Sequence, residues 1–205
     1  MQADITAFAQ LKATYDTAAY FEEHFASARA VASREEMLAM AAELAPADGL
    51  ALEFGVATGW TINQLARRLP GRTIHGFDSF EGLPAQWFTQ DRGAFAGAPP
   101  KVAENVDLVV GLFEDTLPAF VAAHPGHVAL LHVDCDLYES TATIFRHVGE
   151  RLVRGSVILF DEYWNYPGWR QHEHRAFQEF ATARGLRYRY AALVPTHQQV
   201  LVVVE

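Results

Sequence analysis

From Leu50 onward the apolar residues alternate between two spacings, and this alternation restricts the fold more than any other feature of the chain. Leu50 to Gly55, Arg72 to Asp78, Val106 to Val110, Val128 to Val133 and Ser156 to Phe160 are short apolar runs that read as buried strands. Between them Ile62, Leu65, Ala66 and Leu69 recur at helical spacing, as do Thr141, Ile144, Phe145, Val148 and Leu152. Thr116 to Ala123 reads as a short helix, and roughly Gln171 to Arg184 as a longer one. Strands that alternate with helices imply a parallel sheet covered on both faces. Tyr188 to Leu193 and Gln199 to Val204 finish the chain as two further strands. Their link, Val194 to Gln198, is too short for a parallel crossover, so the last pair is expected to be antiparallel. The expected fold is therefore α/β, doubly wound and mostly parallel.

Two segments stand outside the alternation. The first 48 residues read as an N-terminal helical cap: an irregular, aromatic-containing start, then a helix opened by the capping-box pair Ser33 and Glu36, with Met37, Met40, Ala41 and Leu44 on its apolar face. Residues 79–105 are rich in glycine and proline yet hold Trp87, Phe88 and Phe95. A loop of that length inside a compact domain is usually functional, and the aromatics favour a lid. With 205 residues, half of them hydrophobic, the chain supports one core and one domain.

A formal charge of -9 with no basic stripe argues against a nucleic-acid partner. No apolar run is long enough to span a bilayer and no signal-peptide pattern opens the sequence, so no membrane partner and a cytoplasmic location are expected. Cys135 is the single cysteine, which excludes an internal disulfide. Flanking carboxylates would raise its thiol pKa, so it reads as a small packing residue rather than a nucleophile.

The chemistry concentrates at strand ends. Asp134 and Asp136 close one strand, and Asp161 and Glu162 close its neighbour. Two carboxylates about 4 Å apart repel by roughly 4 kcal/mol at an effective dielectric near 20. They need a cation or a bound proton, and oxygen ligands favour Mg²⁺, Ca²⁺ or Mn²⁺ over zinc. The plainer alternative is a set of solvated acids capping the helices that follow. The first strand-to-helix turn carries Gly55 and Gly59, and Asp78 ends the second strand where ribose hydroxyls would be bonded. Glu53 precedes the first glycine, and the dinucleotide fingerprint G-x-G-x-x-G is absent. A ligand with a ribose and an amino group, such as S-adenosylmethionine, suits this turn better than NAD.

Five ordered runs, LEFGVATGWTINQLA, HGFDSFEGLP, GLFEDTLP, LLHVDCDLYEST and FDEYWNYPGW, resemble the class I S-adenosylmethionine-dependent methyltransferases of the macrocin O-methyltransferase (TylF) type. The resemblance extends from about Leu50 to Phe180. It implies a seven-stranded Rossmann-like sheet with the last strand antiparallel. It places Glu53, Gly55, Ala57 and Gly59 along the methionine part of the cofactor, Asp78 on its ribose, and Ser79 with Phe113 beside the adenine. Asp134, Asp161 and Glu162 then fall on a divalent metal, usually Mg²⁺, and Asp136 on the general base. There are departures: Asp161-Glu162 replaces a frequent Asp-Asp pair, Cys135 stands where glycine is common, and Leu137 occupies the place of the lysine base of catechol-type relatives.

His172, Glu173 and His174 read as a substrate-facing patch or a second metal shell, with at least one solvated. Tyr163, Trp164, Tyr166 and Trp169 read as packing with at least one substrate contact. The expected activity is metal-dependent methylation of a hydroxyl on a small molecule, such as a sugar of a natural product. A homo-oligomer is left open. The rivals are a noncatalytic cofactor- or partner-binding domain, methylation at nitrogen or carbon, and an NAD-type oxidoreductase.

Overall fold

A computed structural model describes residues 4–205. The strands are β1 (Arg29–Ala30), β2 (Leu50–Phe54), β3 (Ile74–Asp78), β4 (Val106–Val110), β5 (Val128–Val133), β6 (Leu152–Phe160), β7 (Tyr188–Leu193) and β8 (Val200–Val204). They form one sheet in the order β1-β7-β8-β6-β5-β2-β3-β4. β8 runs antiparallel to both of its neighbours, and every other pairing is parallel. The seven expected strands all form. The eighth, β1, is a two-residue edge strand beside β7, too short to carry any periodicity.

The helices are α1 (Ile5–His24), α2 (Arg34–Leu44), α3 (Trp60–Arg68), α4 (Phe113–Ala123), α5 (Tyr138–Val148) and α6 (Glu173–Arg184). Successive strand residues point to opposite faces. Leu52, Phe54, Leu131, Val133 and Ile158 therefore pack with α4, α5 and α6, while Ala51, Leu130, Val157 and Leu159 pack with α2 and α3.

Two expectations are corrected. The N-terminal stretch is not irregular: α1 is a 20-residue helix capped by Asp4, whose Oδ1 accepts from the amides of Thr6 and Ala7. Its buried face is only Ala13, Thr17 and Tyr20, while Ile5, Phe8, Leu11 and Tyr15 are exposed, so no single apolar stripe announces it. Leu152 belongs to β6 rather than to the preceding helix, because a 3-10 turn at Gly149–Arg151 ends α5 early.

Residues 79–105 contain no regular element apart from a single bridge between Trp87 and Gln90. The segment folds back on itself, Leu83 N–H donating to Ala94 O and Gly93 N–H to Leu83 O, each at 2.9 Å.

Register brings the site together. Phe54 pairs with Val133 and Val133 with Phe160, so β2, β5 and β6 end level. The ladder continues one step further, Asp134 N–H donating to Phe54 O and Asp161 N–H to Val133 O, both at 2.9 Å.

Candidate active site

A cavity of about 520 Å³ opens over these strand ends. On one side lies the turn after β2. Gly55 has φ +94°, and a Cβ there would stand 1.6 Å from the carbonyl oxygen of Asp134. No other residue fits, so the turn and the acidic strand end are in backbone contact. Gly59 opens α3 at φ +78°, with Pro100 packed 2.9 Å from the position of a Cβ. Between them Ala57 takes φ +44°, a left-handed conformation that costs an L-residue roughly 1–2 kcal/mol.

Asp78 organises this turn. Its Oδ2 accepts from the amides of Val56 and Ala57, and its Oδ1 from that of Phe80, all at 2.8 Å. Gly55, Ala57, Asp78, Ser79 and Phe113 all reach the cavity wall. Glu53 and Gly59 do not. Glu53 is enclosed behind the turn, its Oε1 accepting from the Thr61 hydroxyl at 2.7 Å and its Oε2 lying 2.9 Å from His132 Nδ1. A side chain leaving β2 ahead of the turn points into the sheet face under α3, which corrects its expected place beside the cofactor.

The floor is acidic: Asp134, Asp136, Asp161 and Glu162 all line it. Burial raises the Asp134 carboxyl well above the usual range, Asp161 pushes it further, and Arg34 opposes. Burial, then Asp161 and Asp134, does the same to Glu162. Asp136 is raised to about 7 by burial and by Asp161. It sits at φ +63°, the centre of a three-residue turn closed by Leu137 N–H donating to Cys135 O at 2.6 Å. Cys135 is buried with its thiol pushed up, first by burial and then by Glu173, in line with a packing role.

Arg34 on the floor carried no sequence signal, and Glu173 beneath it was marked only as part of the His172-Glu173-His174 cluster. Arg34, in the first turn of α2, donates from Nη2 to Asp134 Oδ2 at 2.5 Å, and its Nε lies 2.8 Å from Asp161 Oδ1 without hydrogen-bond alignment. It supplies the positive charge that the acid cluster demands. Glu173, fully buried at the start of α6, accepts from Cys135 N–H at 3.3 Å and from Glu162 N–H at 3.1 Å, clamping the two acid-bearing loops together. Each acts on the acids from a distant helix.

The His172-Glu173-His174 cluster thus divides by face. Glu173 lies fully buried beneath the acid-bearing loops without reaching the cavity wall, and His172 is half-buried with its Nδ1 unpartnered. His174 packs edge-on against Trp169 and Tyr20, and burial lowers its pKa to about 3, keeping it neutral. Glu173 and His174 are buried, and His172 alone keeps partial contact with solvent. Tyr163, Trp164, Tyr166 and Trp169 are buried core residues, and none reaches the cavity; Trp60, Trp87 and Phe95 form its aromatic walls instead.

The floor fits a divalent cation. One ring nitrogen of His132 and one carboxylate oxygen each of Asp134 and Asp161 lie within 4.8 Å of one another. Buried Asp161 Oδ1, Glu162 Oε2 and His132 Nε2 have no hydrogen-bond partner. Asp136 and Glu162 stand outside that close group; for Glu162 this departs from the expected ligand set. Among the described residues no helix is long and apolar enough to cross a membrane.

Comparison with known proteins agrees with this geometry. Residues 52–163 match the family model described as a methyltransferase domain. Over 113 residues the chain is 32% identical to the 8-demethyl-8-(2,3-dimethoxy-alpha-L-rhamnosyl)-tetracenomycin-C 4'-O-methyltransferase of Streptomyces olivaceus. That match takes in 45% of this chain and spans less than half of the relative, 42%. The calicheamicin methyltransferase CalS11 superposes with a TM-score of 0.66 at 25% identity, covering 82% of this chain and 76% of its own. The O-methyltransferase NovP shares the fold, with a TM-score of 0.65 at 21% identity over 83% of this chain and 78% of its own. The matched segment begins in β2, takes in the glycine turn and all four floor acids, and fills more than half of the chain, so this protein belongs to the methyltransferase domain family.

Proposed function

We propose that this protein transfers a methyl group from S-adenosylmethionine to a hydroxyl of a small molecule, a sugar of a natural product, in the manner of the macrocin O-methyltransferase type. The observation that carries the reading is Asp136: a carboxyl raised to about 7, on the cavity floor, beside a glycine turn suited to a nucleoside. An alcohol is a poor nucleophile until its proton leaves, and a base is most effective when its pKa lies near the working pH. Asp136 accepts that proton as the oxygen attacks the sulfonium methyl. Asp78 and the amides it holds receive the ribose side of the cofactor, and Ser79 with Phe113 flank its base. Asp134 and Asp161 would hold a divalent cation such as Mg²⁺, with Glu162 beside them but outside the close group, and the ion when bound would add positive charge where the acceptor oxygen becomes anionic. Trp60, Trp87 and Phe95 offer flat apolar surfaces to the acceptor, and residues 79–105 close over it as a lid. Holding oxygen and methyl in line near contact accounts for roughly 7–11 kcal/mol of barrier in favourable cases.

The names of the Streptomyces olivaceus relative and of CalS11, described in its apo form as a TDP-rhamnose 3'-O-methyltransferase, support a sugar-bearing acceptor. Calorimetry with S-adenosylmethionine and its demethylated product, followed by methyl transfer to a panel of glycosides, tests the proposal. Equal binding of NADH, or no binding of either ligand, rejects it. A second reading follows from Arg34, which already touches both aspartates and could serve as the only cation. Full turnover in excess chelator would select it.

A further inference from the structure

We infer that His132 supplies a nitrogen ligand to the cation site, so that the site prefers a transition-metal ion such as Mn²⁺ to Mg²⁺. The inference rests on the part of the proposed function that places a divalent ion among the floor acids. His132 lies on β5 and Asp134 two residues later, just past the strand end, where the ladder continues, so both side chains leave the same face of the sheet. The imidazole is completely enclosed. Its Nδ1 lies 2.9 Å from Glu53 Oε2, and the other oxygen of that carboxylate already accepts from Thr61. A carboxylate that accepts on both oxygens fixes the proton on Nδ1, leaving Nε2 as the free nitrogen.

Nε2 has no partner in an enclosed space, where leaving a polar atom unsatisfied is costly. A ring nitrogen of this histidine is within 4.8 Å of ligand oxygens from both Asp134 and Asp161. Histidines that bind metals usually donate their second nitrogen to a carboxylate, as His132 does to Glu53, and this orients the ring. Mg²⁺ favours oxygen throughout its shell, whereas imidazole shifts a mixed set toward first-row transition ions. The all-oxygen set expected from the strand-end acids therefore gains one softer member.

The test uses chelator-treated full-length protein. Mn²⁺ is expected to bind at least tenfold more tightly than Mg²⁺ by calorimetry. Pulsed electron paramagnetic resonance of the Mn²⁺ form should show ¹⁴N coupling, converted to ¹⁵N coupling by ¹⁵N-histidine labelling, and lost in His132→Gln. Glutamine keeps a donor for Glu53; the labelling needs no variant, so a misfolded variant leaves the test intact. Mn²⁺ bound without nitrogen coupling, or coupling that survives in folded His132→Gln, overturns the histidine ligand and leaves the cation site standing. Failure of both ions to bind at millimolar concentration overturns the ligand and the metal part of the proposed function together.

Discussion

Asp136→Asn should stabilise the ion-free protein while abolishing most of its turnover. The Asp136 carboxyl is raised from an ordinary 3.8 to about 7 in the folded chain. Between those values the unfolded chain has released its proton and the folded chain keeps it, so stability falls as pH rises through this window and the loss is complete above pH 7. A gap of about 3 units, at 1.36 kcal/mol each, corresponds to about 4 kcal/mol withheld from the folded state at pH 8. Asparagine has nearly the same shape and carries no ionisable proton. It also tolerates the left-handed backbone at φ +63°, so the exchange adds little strain.

Urea unfolding of both proteins in chelator should therefore give nearly equal midpoints near pH 4 and a variant more stable by up to about 4 kcal/mol at pH 8. Added Mg²⁺ or Mn²⁺ should narrow the difference, since the cation compensates the wild-type charge. Loss of the base should lower kcat by about 10² to 10⁴. A stability difference that does not change with pH, or a variant less stable than wild type at pH 8, refutes the burial argument.

Three further outcomes follow from the same geometry. Arg34→Met removes the only guanidinium that contacts the floor acids among the described residues; in chelator at pH 8 it should cost about 3 kcal/mol in unfolding free energy, as breaking a partly buried ion pair does, and Mn²⁺ should restore much of it. Unchanged stability would mean that solvent screens the pair. Asp78→Ala leaves the amides of Val56, Ala57 and Phe80 without their acceptor and should weaken cofactor binding by about 1.5–3 kcal/mol, read by calorimetry; undiminished affinity would remove Asp78 from the site. Amide exchange across residues 79–105 should slow when cofactor product and acceptor are added together, and equal protection with and without ligands would make the segment a static loop.

The strands were readable in the sequence because each is short, apolar and ended by turn chemistry, and the acids were readable because two of those runs end in carboxylates. The helix α1 was not, since tertiary contacts of Ala13, Thr17 and Tyr20 hold it where no stripe exists. Arg34 was hidden, since an arginine in a first helical turn looks like surface until the fold brings it 100 residues along the chain to Asp134; Glu173 was marked only with its flanking histidines, as a patch or second metal shell, and its bond to Cys135, 38 residues away, came from the fold. The aromatics after Glu162 misled for a related reason. Proximity in sequence to the acids suggested the cavity, but the chain turns inward there and the walls come from α3 and the long loop.

That division bears on how far the acid site is portable. The segment recognised by the family model, residues 52–163, contains every floor acid but neither the guanidinium that offsets their charge nor the carboxylate that ties their loops. A fragment trimmed to those limits would keep its negative charges and lose their restraint, and above neutral pH its strand ends would repel one another. Swapping acceptor specificity between relatives by exchanging that segment alone would meet the same difficulty. The smallest transplantable unit therefore has to reach from α2 into α6.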